Sequence, residues 1–456
     1  MNDRRYVLTL VATCTTILVA TSMLARGGPL SPPPGPVAPT MLTLDMIEPR
    51  TPIGPDTTPG DSANLFIINQ PGSYFLTGNI IGQAGKTGIR ITADHVRLDL
   101  NGFTLQGVSE SREGIRIYSS WVTVRNGSVT GWGRQGLRGF SELSQEGTVV
   151  EHVSAIDNVD DGIDVYENAI IRNCQAHQNG GHGIEVYSGS LIEDCIVRYN
   201  TMDGIHTNFG CMVQDCSALQ NGGHGIRVGT QSQVIQCLAR ANLQHGFEAL
   251  DSCNFISCSS DANTMNGFHA GNRAIFQACG ASDNGVDGMY SGFASIVSGC
   301  SAMNNGEDGI WVSFGSAVSV SASRINGGYG IYCNTGGNVS FASCYGNDRG
   351  VSAGQIFGVN ATGNSITGIN ANGFASHSYA YANGYGFIAT AYGRVHECSA
   401  RANGQGFKAD PFDDSIVSGC SAFDSTAENF DNTFSGQDTN TPVGATAWQN
   451  FAESLP

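Results

Sequence analysis

Between Asp160 and Arg227 the chain gathers side chains able to move protons and hold anions: Asp160, Asp161, Asp164, His182, Glu185, His206 and Arg227. Carboxylates and imidazoles in one neighbourhood are the equipment of general acid–base catalysis, in which one group donates a proton while another removes one. Arginines beside them would meet the carboxylates of an acidic substrate. Their spacing is the clue to how they are held. Asp161 and His182 are 21 residues apart, as are Asp164 and Glu185, then Glu185 and His206, then His206 and Arg227.

The interval runs through the whole chain. A Gly followed by an apolar residue recurs at Gly162, Gly183, Gly204, Gly225, Gly246, Gly267, Gly288, Gly309 and Gly330, always 21 apart. Looser copies reach back through Gly136 and Gly114 to Gly88 and forward through Gly350, Gly368, Gly386 and Gly406. Four residues before each regular Gly stands an Asn, from Asn158 to Asn326, and nine before stands a Cys in seven successive units, from Cys174 to Cys300. Within a unit, "GIEV" and "GIRV" alternate apolar and polar, the period of a strand. A second apolar patch (Ile192, Val213, Val234, Phe255) precedes the Cys, and the turns between are too short for a helix.

One such unit cannot bury its apolar side, but a stack of them can share a core and pair nearly every backbone group. The expectation is an all-β fold, a single-stranded right-handed parallel β-helix of about 21 residues per coil, right-handed because parallel crossovers strongly prefer that hand. Some sixteen coils at ~4.8 Å spacing make a column of roughly 75 Å. Stacked Asn side chains would form an amide ladder at a bend, with Asn itself suited to left-handed backbone. The recurrent Gly would supply a conformation closed to other residues. The Cys column would point inward as buried thiols, since in-register rungs are wider than a disulfide prefers.

The opening "GSYFLTGNI" to "VRLDLNGFTLQG" (Gly72 to Gly107), followed by Asn…Gly-Ile coils, resembles the bacterial right-handed parallel β-helix repeat proteins of the pectin-lyase-like superfamily. The resemblance covers about Asp61 to Phe430 and implies architecture more than activity. Two enzyme families add partial likenesses. Asp160-Asp161 with Gly181-His182-Gly183 one coil later resembles polygalacturonases, implying inverting hydrolysis by aspartates, although their Asn-Thr-Asp and Arg-Ile-Lys motifs have no counterpart here. "DGIDVYENAIIRNCQAHQNGGHGIEVY" (Asp161 to Tyr187) is similar in layout to mannuronan C5-epimerases. There Asp164 and Glu167 match, whereas Val165 and Tyr166 replace the family's Pro and His. That likeness implies a uronate neutralised by Arg138 and deprotonated by Tyr166 or His182.

The candidate acid–base group is therefore Asp161, Asp164, His182 and Glu185. The candidate substrate contacts are Arg138, Tyr166, His206, Arg227, Tyr290, Trp311 and Tyr332, the last three as platforms for sugar rings. If the column before each Gly and the column two after it both face outward, they form one strip. The partner expected is an extracellular glycan, acted on by lyase, hydrolase or epimerase chemistry, or simply bound. A non-catalytic surface or adhesion solenoid would show the same columns. Calcium is conceivable at Asp157, Asp160, Asp161, Asp164 and Glu167 if their oxygens converge, a solvated acidic turn being the plainer reading. No cofactor is otherwise indicated, and the cysteine spacing is not that of a zinc site.

A net charge of −17, with no Lys/Arg run, excludes a phosphate-tracking nucleic-acid binder. Residues 1–26 read as a signal peptide or membrane anchor, with Arg4 and Arg5 ahead of "YVLTLVATCTTILVATSML". Residues 27–61 read as a Pro-rich linker, 62–87 as an N-terminal cap, 88–430 as the β-helix and 431–456 as a C-terminal cap or tail, with Trp448 and Phe451 as shielding groups. The expected location is secreted or associated with the cell envelope, and any membrane contact is confined to the N-terminal segment. Nothing in the sequence speaks to oligomeric state.

Overall fold

The computed structural model describes residues 50–139, 147–390, 392–409 and 415–426, and the backbone of 430–431 and 452–453. The expected signal or anchor, the linker up to Pro49, and Trp448 and Phe451 lie outside the described residues. Among these residues no helix is long and apolar enough to cross a membrane.

Each regular coil contributes three strands of three residues, such as Ile163–Val165, Ile170–Arg172 and Gln175–His177. Each strand pairs in parallel with its counterpart 21 residues on: Ile163↔Ile184, Ile171↔Ile192, Ala176↔Val197. Three ladders therefore run through a solenoid of about 17 turns, with no helix among the described residues. The register follows from repeat length. Where coils spend the same number of residues, each backbone N–H meets the same carbonyl one rung away, and coils of other lengths, 26 residues at Leu137↔Ile163 and 18 at Val351↔Ile369, keep the ladders by taking up the difference in their turns.

The boundaries differ from expectation at the N-terminal end. Segment 62–87 is a coil rather than a cap: Asn64–Ile68 pairs with Thr87–Ile91, and Gly72–Phe75 with Val96–Asp99. Even Thr51–Pro52, inside the expected linker, pairs with Tyr74–Phe75. At the other end, Phe430–Asp431 and Ala452–Glu453 each add a parallel rung.

The core is a set of inward columns. Ile163, Ile184, Ile205, Ile226, Phe247 and Phe268 form one, and Phe255 with Phe276 belongs to another, all fully buried. Phe247 and Phe268 stack at 4.7 Å, and Phe255 meets Phe268 edge-on at 5.5 Å. The thirteen described cysteines are buried free thiols, as the column predicted.

The Asn ladder is continuous from Asn158 to Asn403. Each Asn donates both its backbone N–H and its Nδ2 to the Oδ1 of the Asn one coil on, at 2.8–3.2 Å. Two details were not anticipated. The ladder asparagines are not left-handed; the residue before each one is, as at Gln178, Tyr199 and Gln220. The Gly column is not left-handed either. At Gly183 a Cβ would lie 2.6 Å from Asn200 Nδ2 and 2.7 Å from the Gly204 carbonyl oxygen. Glycine is needed there because the amide ladder passes too close for any side chain.

Candidate functional site

Of the two polar columns expected to face outward, one does. Asp164, Glu185, His206, Arg227, Glu248 and His269 occupy the middle of their strands, between two buried neighbours, and point to solvent. The column before Gly lies at a bend and is largely enclosed: Asp161 is 6% exposed and His182 8%. Its side chains serve the backbone. Asp161 Oδ1 accepts the His182 N–H at 2.7 Å, His182 Nδ1 accepts the Asp203 N–H at 3.1 Å, and Asp203 Oδ1 accepts the His224 N–H at 2.7 Å. The same bond repeats through His224, His245, Asn266, Asp287 and Asp308. Asp and His are thus interchangeable here because each offers one acceptor at the right reach.

These bonds assign tautomers. With Nδ1 accepting, the ring proton of His182 is on Nε2, which lies 3.3 Å from His206 Nδ1. His182 therefore donates to His206, leaving the His206 Nε2–H directed away from the pair. Asp203 Oδ2 lies farther from His182 Nδ1, at 3.6 Å, and is not its hydrogen-bond partner. His182 has no free lone pair with which to act as a base, which removes one of its expected roles.

The outward column does bring acid and base groups together. Asp164 and Glu185 are register partners, Arg138 Nε lies 3.7 Å from Asp164 Oδ2, and Glu185 Oε1 lies 3.5 Å from His206 Nδ1. Burial, then the neighbouring Glu185 and Asp161 charges, push the Asp164 carboxyl up to about 8 against the pull of Arg138. Burial likewise raises Glu185 and Asp161. Burial drives His206 down to about 4, helped by His182. At neutral pH the strip presents a protonated Asp164 and a neutral His206, with Arg138 one coil above the acid pair and Arg227 one coil below His206. Tyr166 and Tyr187 border the acids with ring centroids 4.5 Å apart, and burial followed by the adjacent carboxyls raises the Tyr187 phenol.

The aromatic run differs from expectation. Tyr290 stacks on Trp311 at 4.5 Å with planes 5° apart, His269 on Tyr290 at 5.0 Å, and Trp311 on Tyr332 at 5.8 Å. Each inner ring spends its faces on its neighbours and offers only an edge outward. A sugar stacks on a face, so Tyr290 and Trp311 are not platforms, while Tyr332 ends the stack with a single stacked partner.

Among the described residues, three sets of possible ligand atoms come within 4.8 Å of one another: His182/Asp203/His206, His224/His245/Glu248 and Asp161/His182/Glu185. Each contains imidazole, which is not the donor set of calcium. The expected run from Asp157 to Glu167 supplies only Asp161 to these sets. Nor do the residues suit zinc or its neighbours. Nδ1 of His224 and of His245 accepts a backbone N–H, at 3.3 and 3.1 Å, so each Nε2 carries the proton a metal would have to displace. Glu248 instead binds His269 Nδ1 at 2.8 Å, and that bond carries its carboxyl below the usual range although burial alone would raise it.

One residue escaped the sequence reading. Glu113, fully buried, occupies the pre-Gly column two coils above Asp161. It is ringed by Arg116 and Arg134 at 3.5 Å and Arg138 at 4.0 Å, and Thr87 Oγ1 donates to it at 3.0 Å. Following the pre-Gly column back to Gly114 would have found it. It orients the cationic end of the strip, Arg138 included.

The chain has the parallel β-helix fold. The family model described as "Right handed beta helix region" matches residues 64–212. Among solved structures it is similar to the A-module of the Azotobacter vinelandii mannuronan C-5 epimerase AlgE6, at 15% identity over 77% of this chain and 91% of that one, with a TM-score of 0.31. It is also similar to the periplasmic alginate epimerase AlgG, at 10% identity over 74% and 77%, TM-score 0.35. A third is the pectate lyase Pel9A, at 14% identity over 61% and 72%, TM-score 0.23. No curated protein matches the sequence.

Proposed function

We propose that the protein is an exported, cell-envelope or secreted solenoid that acts on an acidic extracellular polysaccharide along the outward strip from Arg138 to Arg227. The observation that carries this is the pairing of Asp164 with Glu185 on adjacent rungs, with Arg138 at 3.7 Å and His206 at 3.5 Å. An acid held protonated at neutral pH beside other titratable groups is the division of labour that proton-transfer enzymes use. Asp164 is the proton donor, Glu185 the group that receives a proton, and His206 a neutral hydrogen-bond donor through Nε2. Arg138 and Arg227 meet substrate carboxylates. Asp161 and His182 hold the strip from beneath rather than touch substrate.

The test is incubation of the purified protein with polymannuronate, polyguluronate and polygalacturonate, following unsaturated ends, new reducing ends and C5 inversion. Turnover by wild type that Asp164→Asn and Glu185→Gln abolish is the expected result. No product and no retention on any of the polymers would sink the proposal.

One observation favours a second reading, a non-catalytic surface solenoid. The whole column from Asp161 to Asp308 is accounted for by backbone acceptance, so half of the polar groups have a structural reason to exist.

A further inference from the structure

A different face of the first coils carries an unassigned groove. Two adjoining clefts of about 430 and 300 Å³ share Ser73, Arg97, Thr123 and Val149 on the second ladder, well apart from the strip. Volumes of this order suit a one- or two-sugar ligand.

Two features of the groove ask for a ligand. The first is Arg97. Its neighbours in the adjacent outward column neutralise each other: Asp99 is held by Arg50 at 2.9 Å and Arg125 at 3.1 Å, and Glu151 by Arg172 at 2.9 Å. Among the described residues no carboxylate pairs with Arg97, which is exposed between Ser73 and Thr123, its register partners on either side. The second is Trp121. It sits at a left-handed bend, φ 58°, a conformation that His95, Gln231 and Arg273 share in the same column, so the bend itself does not select an indole. Its ring lies over Gly147, where a Cβ would come within 2.4 Å, and it remains 55% exposed. Gly147 thus makes the seat on which the indole lies at the groove wall.

From these we infer that the groove is a second saccharide-binding site, specific for a sugar bearing a carboxylate: Trp121 stacks on the sugar ring, Arg97 takes the carboxylate, and Ser73 and Thr123 bind hydroxyls. An exposed indole and a free guanidinium at one cleft are the minimal pair for a uronate, the guanidinium supplying a two-pronged fit to its carboxylate. This extends the glycan reading above to another face of the solenoid: the groove holds the polymer while the strip acts on it.

The experiment is calorimetric titration of the full chain with oligomannuronate and oligogalacturonate, with a malto-oligosaccharide of equal length as the neutral control. Trp121→Ala and Arg97→Gln should each weaken binding of the acidic oligosaccharide by about tenfold or more. Both should leave urea midpoints unchanged, and Asp164→Asn should leave groove affinity intact. Acidic and neutral sugars binding alike would overturn the specificity, and hence the role of Arg97. Binding indifferent to both groove variants but lost with Asp164→Asn would overturn the groove and leave the strip standing. Groove binding without turnover would overturn the strip and leave the groove.

Discussion

Nε2 of His182 lies 3.3 Å from Nδ1 of His206, and the Asp203 N–H donates to the other nitrogen of His182 at 3.1 Å. A buried imidazole thereby converts a backbone amide on one rung into the tautomer of a half-buried imidazole. The chain of donors runs outward, from amide to His182 to His206, and ends with an N–H facing the strip. Nitrogen-detected NMR should find His206 as the Nε2–H tautomer at neutral pH. It should titrate near 4 rather than near the ordinary 6.5, because burial and His182 disfavour its cation. Replacing His182 with Gln, which keeps an acceptor, should release the tautomer preference while preserving the fold.

The same depression has a sign for stability. Below pH 6.5 the unfolded chain takes up a proton at His206 that the folded chain refuses until about 4. Stability is therefore fully present above 6.5 and falls as pH drops through that window, with His224 and His245 acting in the same direction. His206→Asn should recover on the order of 1–2 kcal/mol relative to wild type at pH 5 compared with pH 7, measured by urea midpoints.

Asp164 has the opposite slope. Its carboxyl stays protonated in the fold up to about 8, while an unfolded Asp ionises near 3.8. Its contribution is complete below 3.8 and is lost as pH rises through 8, so Asp164→Asn should gain on the order of 1–3 kcal/mol over wild type at pH 9 and almost nothing at pH 4. If Asp164 is the proton donor, turnover by wild type should fall along a limb near pH 8, and the Asn variant should have none. A stability curve with no alkaline difference between the two proteins would mean the carboxyl is ionised in the fold and cannot donate.

Asn200 shows how much of the solenoid rests on one amide per coil. It accepts from the N–H and Nδ2 of Asn179, donates twice to Asn221 Oδ1, and donates to the Ala176 carbonyl at 3.1 Å. Asn200→Ala strands several of these groups in a dry bend and should cost roughly 3 kcal/mol, more than most exposed substitutions on the same coil. Thermal melts should show the loss with the ladders still parallel by far-UV dichroism.

The repeat, the parallel stacking of short strands and the inward thiols were legible because they depend only on period. Residues 21 apart must lie over one another once Ile163 pairs with Ile184. What the spacing could not separate was Asp161 from Asp164. Both are acids in adjacent polar columns, yet one sits at a bend where its oxygen reaches the next amide and the other at mid-strand. That difference is set by bend geometry, not by residue type. The Gly column misled for a similar reason: Gly183 answers to the close passage of Asn200, a neighbour from the next coil that no local pattern names. The groove with Arg97 and Trp121 was hidden by the first coils, whose partners Arg97 and Thr123 are 26 residues apart and fall outside the 21-residue alignment.

The stack of Tyr290, Trp311 and Tyr332 supplies the clearest separation of stability from binding. Rings in register on parallel rungs come close enough to stack, and here the inner ones do, at 4.5 and 5.8 Å. Trp311 has an aromatic partner on each side, so Trp311→Ala removes two contacts worth about 0.5–1.5 kcal/mol apiece beyond the lost area. A destabilisation of roughly 2–4 kcal/mol should follow. Glycan affinity, measured on folded protein at low temperature, should change less than about twofold, because neither face of the indole was open to a sugar. A platform would behave in the reverse way, with affinity falling tenfold or more and the melting temperature scarcely moving. Trp311→Phe settles the matter further, since it keeps most of the stack and should return most of the stability without altering binding in either direction.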